Sequence, residues 1–203
     1  MLLFPAFESL DVFGPLDALQ ILSRLYKMDL ALISTDLDPV STKTPHMNPK
    51  NSTFGANILP THTFENAPAL DVLIVPGGVG SRARNLNSTV DYIAKTYPKL
   101  QYLISICSGA ILVSDAKVLA GKTATTNKAS WDSIVVRHPE VNWVKPARWT
   151  QDGNIWTSSG ISSSIDVTIA WIASTYGESV AQNVSDTMEY ERHTDPSWDP
   201  WGK

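Results

Sequence analysis

Two short apolar runs, each ending in a turn of small residues, constrain this chain more than anything else in it. Leu70-Asp71-Val72-Leu73-Ile74-Val75 leads into Pro76-Gly77-Gly78, and Tyr102-Leu103-Ile104-Ser105-Ile106 leads into Cys107-Ser108-Gly109-Ala110. Runs this short and this rich in β-branched residues read as strands covered on both faces, as in a parallel sheet. Parallel strands need crossover connections, and helical periodicity appears where those would lie. Leu16, Leu19, Ile21, Leu22 and Leu25 recur at helical spacing over 16–28, and further helices are expected at 89–97, 110–118, 129–137 and 163–176. Extended pieces are expected at 2–4, 29–35, 56–59 and 122–126, loops over 5–11 and 36–51, and an irregular tail from Thr194. A hairpin joins 148–150 to 154–157 through Asp152-Gly153. This alternation predicts an α/β fold with a mostly parallel sheet and helices on both faces, and ligands at the carboxyl ends of its strands. The loop with Asp11, the Gly77-Gly78 turn and the Cys107 turn then share one rim.

Composition limits what such a fold is for. With 203 residues, 43% of them hydrophobic, the chain can bury a full core as one domain spanning 1–203. A net charge of −4 without a Lys/Arg-rich run argues against nucleic acid or an anionic membrane as the main partner. No run reaches transmembrane length, and the opening MLLFPAF, broken by Pro5 and followed by Glu8 and Asp11, does not read as a leader. A lone cysteine suits the reducing cytoplasm.

Cys107 is that cysteine, so it has no disulfide partner within the chain and is either a reactive thiol or a small buried hydrophobe. A buried hydrophobe is the commoner fate of a free cysteine, and its place at a strand-to-helix bend is what speaks for the other. A side chain there is thrust out of the sheet edge, and unpaired N–H groups of the following helix favour a thiolate. Asp11, just before Gly14-Pro15, reads by itself first as a loop or capping residue and only second as an acid delivered to the rim. A Cys-His dyad fits poorly: His46 and His62 are expected in loops, His138 before Pro139 and His193 in the tail, all at the surface. No His or Cys pair has metal-ligand spacing, and no G-x-G-x-x-G follows the first strand, so neither a metal nor a dinucleotide cofactor is expected. Of the seven tryptophans most are expected in packing, and Trp198 is a candidate to cover a pocket.

The ordered set FPAFESLDVFGP, LDVLIVPGG, ISICSGA, LAGKTATTNKAS and SSGISSSID, spread over Leu2 to Glu191, resembles the ThiJ/PfpI superfamily of glutamine-amidotransferase-like proteins, and within it the isonitrile hydratase branch. The resemblance implies a flavodoxin-like three-layer α/β/α sandwich, a homodimer, no cofactor, and a nucleophile-elbow cysteine at Cys107 with Asp11 beside it. It implies an isonitrile carbon as the small-molecule substrate, Cys107 as nucleophile and Asp11 as proton shuttle. Backbone N–H groups of Gly77, Gly78 and Ser108 are the expected stabilisers of developing negative charge. Four positions depart from the branch: Ser108 where relatives commonly carry Thr, Asn127-Lys128 where many have His-Trp, and Ser164 where glycine is common. Other readings are a glyoxalase acting on reactive carbonyls and a cysteine redox sensor. A related domain also precedes helix-turn-helix modules in bacterial activators, but the chain stops at Lys203 with no basic recognition helix.

Overall fold

The computed structural model describes residues 1–44 and 47–203, and His46 lies outside the described residues. Its centre is a four-stranded sheet of β5 (Val72–Val75), β6 (Tyr102–Ser105), β10 (Ile155–Ser158) and β9 (Trp149–Asp152), in that order. The first three run parallel, and β9 returns antiparallel as the expected hairpin. Leu73, Leu103, Ile104 and Ile155 are buried along it, which explains the unbroken apolar runs. Residues 2–4 extend the sheet beyond β5: Leu2 N donates to Ile74 O (2.9 Å) and Leu3 N to Ile33 O (2.8 Å). They carry β1 (Ile33–Ser34), which pairs in parallel with β4 (His62–Thr63). Minor pairs are formed by β2 (Val40–Ser41) with β3 (Asn57–Ile58), and β7 (Thr123–Ala124) with β8 (Asn142–Trp143).

Helices flank this sheet in two groups. In one, α1 (Ser9–Leu22), α5 (Ser163–Tyr176) and α6 (Glu178–Thr187) pack together, with α5 against β10; in the other, α2 (Asn87–Thr96) packs on α3 (Ala110–Asp115) over β5. The result is the three-layer α/β/α arrangement with a mostly parallel sheet. A further short helix, α4 (Trp131–Arg137), follows β7. No helix among the described residues is long and apolar enough to cross a membrane.

Several local expectations shift. The first helix starts at Ser9 rather than Leu16 and ends at Leu22, so Asp11 is in its first turn and not in a loop. Gly14-Pro15, which reads as punctuation, lies inside it. A Cβ on Gly14 would stand 3.0 Å from Ile165 and 3.1 Å from Ser164, so this pair serves the close approach of α1 to α5. Ser23 Oγ bonding Gln20 O closes the helix early and leaves Leu25 exposed. The α6 helix has no counterpart among the expected elements, because only Ala181, Val184 and Ser185 are buried along it and its apolar stripe is thin. His62 is in β4, not a loop. His138 is buried rather than at the surface: it ends α4 between Asp115 and Glu140, each 3.6 Å from a ring nitrogen, and burial lowers its pKa.

The turns after β5 and β6 meet backbone to backbone. A Cβ on Gly109 would lie 2.5 Å from Val75 O and 2.6 Å from Pro76 O, neither of which can yield without moving the sheet. Gly109→Ala is therefore expected to lower unfolding free energy by about 2–4 kcal/mol in urea titration. Gly153→Ala, at φ 60° with nothing within 4 Å of the new Cβ, is expected to cost only about 1 kcal/mol.

Candidate functional site

Cys107 occupies the bend between β6 and α3 at φ 54°, a left-handed conformation that a non-glycine residue adopts only when its surroundings impose it. Two residues on, Gly109 makes the close backbone approach to Val75 O and Pro76 O just described. The elbow is thus a strained turn, as its sequence suggests, but its side chain is not thrust into solvent: Cys107 is 5% exposed. Asp11 is completely buried on the first turn of α1, and its Oδ2 accepts the Gly77 N–H at 2.8 Å. A Cβ on Gly77 would sit 2.9 Å from that oxygen and 2.6 Å from Ser108 N, so only glycine lets the two turns and the acid close up. Asp11 Oδ1 is buried without a hydrogen-bond partner.

Ser108 faces the other way. Its Oγ accepts the Gly78 N–H at 3.0 Å and lies 3.1 Å from Ser81 Oγ. The N–H groups of Gly77 and Gly78, expected to face a developing charge, therefore donate inside the protein: one holds the acid, the other holds Ser108. Ser108 N–H is the backbone donor that acts on the Cys107 sulfur. All five residues singled out from sequence, Asp11, Gly77, Gly78, Cys107 and Ser108, are brought together here.

The electrostatics depart from the expected thiolate. Burial, and then the charge of Asp11, push the Cys107 thiol up to about 12; the Ser108 N–H, the Asn127 amide and the Ser108 hydroxyl pull against them. Burial dominates Asp11 as well and raises its carboxyl from 3.8 to about 8, against the pull of the Gly77 N–H and of the neighbouring Cys107 side chain. The helix behind the elbow is only Ala110–Asp115, too short to outweigh desolvation of a sulfur this deep. Burial therefore favours the protonated form of both groups.

A cavity of about 460 Å³ is lined by Leu10, Asn127, Lys128, Gly160, Ile161 and Trp201 among others; neither Cys107 nor Asp11 lines it, but Leu10 adjoins Asp11, and Thr126, next to Asn127, donates from Oγ1 to Cys107 O at 2.9 Å. Asn127, one of the positions that departs from the branch, thus stands between cavity and sulfur, with its Oδ1 fixed by Ser130 N–H at 3.0 Å. Ser164, another departure, donates from Oγ to Leu10 O at 3.2 Å and ties α5 to the turn that carries Asp11. Trp198 does not cover this cavity. It stacks on His193, 4.0 Å between ring centres, and on the Arg148 guanidinium, while Trp201 forms the wall. A larger groove of about 730 Å³ runs past Phe13, Leu16 and Leu30 and is lined by none of the groups around Cys107. Sequence reading had no access to Ser81 or Trp201 as site residues, since neither belongs to a motif; Asn127 was visible only as an unusual residue.

Comparison with known proteins agrees with this architecture. A sequence model of the DJ-1/PfpI family matches residues 1–174. Isonitrile hydratase from Pseudomonas putida is 34% identical over 191 residues, 93% of this chain and 76% of that protein. The HTH-type transcriptional regulator GbdR from Pseudomonas aeruginosa is 26% identical over 138 residues, 68% of this chain but 37% of the regulator. Among solved structures, a ThiJ/PfpI family protein from Pseudomonas syringae superposes with a TM-score of 0.79 at 26% identity, covering 98% of this chain and 76% of that one. The chain belongs to the DJ-1/PfpI family.

Proposed function

We propose that this protein hydrates isonitriles to N-substituted formamides without a cofactor, with Cys107 as nucleophile and Asp11 as proton shuttle. The observation that carries the reading is the meeting of two buried groups at one junction: Asp11, held through Oδ2 by the Gly77 N–H with its Oδ1 left without a partner, and Cys107 on the adjoining turn. Similarity to the Pseudomonas putida isonitrile hydratase supports the choice of substrate.

The terminal carbon of an isonitrile is both acceptor and base, so adding a thiol to it requires one bond to sulfur and one to hydrogen at the same atom. A neutral carboxyl performs both halves. Asp11 gives the proton on its unpartnered Oδ1 to the carbon as sulfur attacks, and the S–H proton passes to the carboxylate, leaving Cys–S–CH=N–R and a neutral acid again. Water then adds to the thioimidate carbon: Asp11 gives its proton to nitrogen and takes one from the water, so the acid is neutral again and the adduct is Cys–S–CH(OH)–NH–R. Collapse of the tetrahedral adduct expels sulfur, which recovers its proton, and releases the formamide H–CO–NH–R. Overall, R–N≡C and one water become one formamide. The Ser108 N–H, aimed at sulfur, steadies negative charge there during attack and departure. The depth that raises the thiol argues against a peroxide sensor, which needs an exposed thiolate.

Incubating the purified protein with an aryl or alkyl isonitrile is expected to yield the formamide, read by loss of isonitrile absorbance and by product mass. Cys107→Ala is expected to lose turnover entirely and Asp11→Asn at least about 10²-fold, both folded by circular dichroism; equal turnover in wild type and Cys107→Ala would remove the proposal.

Because the acid form of Asp11 is the working form, kcat/KM is expected to fall about tenfold per pH unit above about 8, with no descending limb in Asp11→Asn.

The same shift sets a stability trend. Between 3.8 and about 8 the folded protein holds a proton on Asp11 that the unfolded chain does not, so this stabilisation is complete below 3.8 and is lost as pH rises through about 8. Asp11→Asn is therefore expected to gain about 3 °C or more in Tm relative to wild type on going from pH 5 to pH 9.

A further inference from the structure

The stretch 195–203 is fastened to the site by an ion pair that no part of the proposed chemistry uses. Asp199, whose side chain is completely buried, lies 3.3 Å from Lys128 Nζ through Oδ2, and the same oxygen accepts from Ser159 Oγ at 2.5 Å. Lys128 is nearly as deep. Its ammonium also donates to Thr125 Oγ1 (2.8 Å), Ala147 O (2.9 Å), Thr126 O (3.1 Å) and Ser159 Oγ (3.1 Å). A buried charge so fully surrounded by acceptors holds one geometry, since losing the partner carboxylate leaves a cation without water. Lys128 follows Asn127, the residue that reaches Cys107, so the pair joins the nucleophile's surroundings to the last turn of the structure.

That turn places one side chain over the cavity. Asp199 Oδ1 accepts the Trp201 N–H at 3.1 Å, and Asp199 O accepts the Gly202 N–H at 3.0 Å. Upstream, Pro196 O accepts the Arg148 N–H at 2.7 Å, which pins the near end of the stretch. The Trp201 indole is left 66% exposed while still lining the cavity, an unusual position for a large aromatic group unless it has something to cover. Leu10 and Ile161, both also partly exposed, complete an apolar rim, and Asn127, Lys128 and Ser159 make the floor polar.

We propose that Trp201, held in place by the Asp199–Lys128 pair, is a specificity-determining wall of the Cys107 site that selects substrates with a flat apolar body behind a small reactive head. Lys128 and Asp199 are positioning residues and act through Trp201. This choice of body rests on the isonitrile reading for the reacting head, but the wall itself does not, because Cys107 is the sole cysteine and its labelling reports access whatever the reaction.

Two assays on the full chain separate these claims. The first compares kcat/KM for phenyl and methyl isonitrile; the second compares the rates at which N-phenylmaleimide and N-methylmaleimide label Cys107. In both, the phenyl-over-methyl ratio is expected to fall about tenfold in Trp201→Ala, chiefly through KM in the first, and to return to within about threefold of wild type in Trp201→Phe. Asp199→Asn is expected to lower the same ratio. A wild type that turns over no isonitrile, yet loses labelling selectivity in Trp201→Ala, upholds the wall and removes the hydratase reading. Labelling and turnover ratios equal in wild type, Trp201→Ala and Trp201→Phe overturn the wall while hydration stands. A ratio that falls in Trp201→Ala but not in Asp199→Asn overturns the role given to the ion pair.

Discussion

Everything at this site depends on the backbone contact between the turn after β5 and the turn after β6. Gly109 lies so close to Val75 O and Pro76 O that no side chain fits between them. Two residues earlier in the same turn, Cys107 adopts its left-handed conformation. On the other side of the same junction, Gly77 approaches Ser108 N and turns its own N–H to Asp11. One short-range packing junction therefore carries both the bend at Cys107 and the anchor of Asp11. The parallel register of β5 on β6, with Val75 opposite Ser105, is what brings the two turns to the same height.

Burial then decides the chemistry. An elbow cysteine at a helix start reads as a thiolate, and the sign of the observed effect is opposite. Both groups lose solvent, and desolvation exceeds every local hydrogen bond at each of them. Two neighbouring acids that each resist ionisation form a pair able to pass protons without building up net charge. Addition of a thiol to a carbon that must also gain hydrogen calls for such a pair. The orphaned Asp11 Oδ1 points the same way: a carboxylate oxygen buried without a donor is costly, and protonation relieves that cost.

The departures from the branch now have places. Ser108 keeps the hydroxyl that braces Gly78, Ser164 ties α5 to the turn bearing Asp11, and Asn127 contacts sulfur from the cavity side. Lys128 is the largest change, and it is buried in a cage of acceptors closed by Asp199 from a distant part of the chain. A cation there and an acid in the last stretch make sense only together, and together they hold Trp201 at the cavity.

By itself the sequence determined the α/β class, the two apolar strands β5 and β6, the hairpin of β9 and β10, and the grouping of Asp11, Gly77, Gly78, Cys107 and Ser108 on one rim. These follow from local periodicity and from the rule that parallel strands present their turns at one edge, which needs no knowledge of distant contacts. Tertiary structure decided the rest. Gly14-Pro15 lies within a helix because α5 packs against it, α6 forms on a thin apolar stripe because α1 and α5 offer a surface, and His138 is buried by its neighbours rather than by its own segment. The protonation of Cys107 and Asp11 was equally out of reach, since desolvation is a property of everything packed around a group. So was the place of Trp201, because the pairing of Lys128 with Asp199 spans most of the last third of the chain and leaves no periodic trace in it.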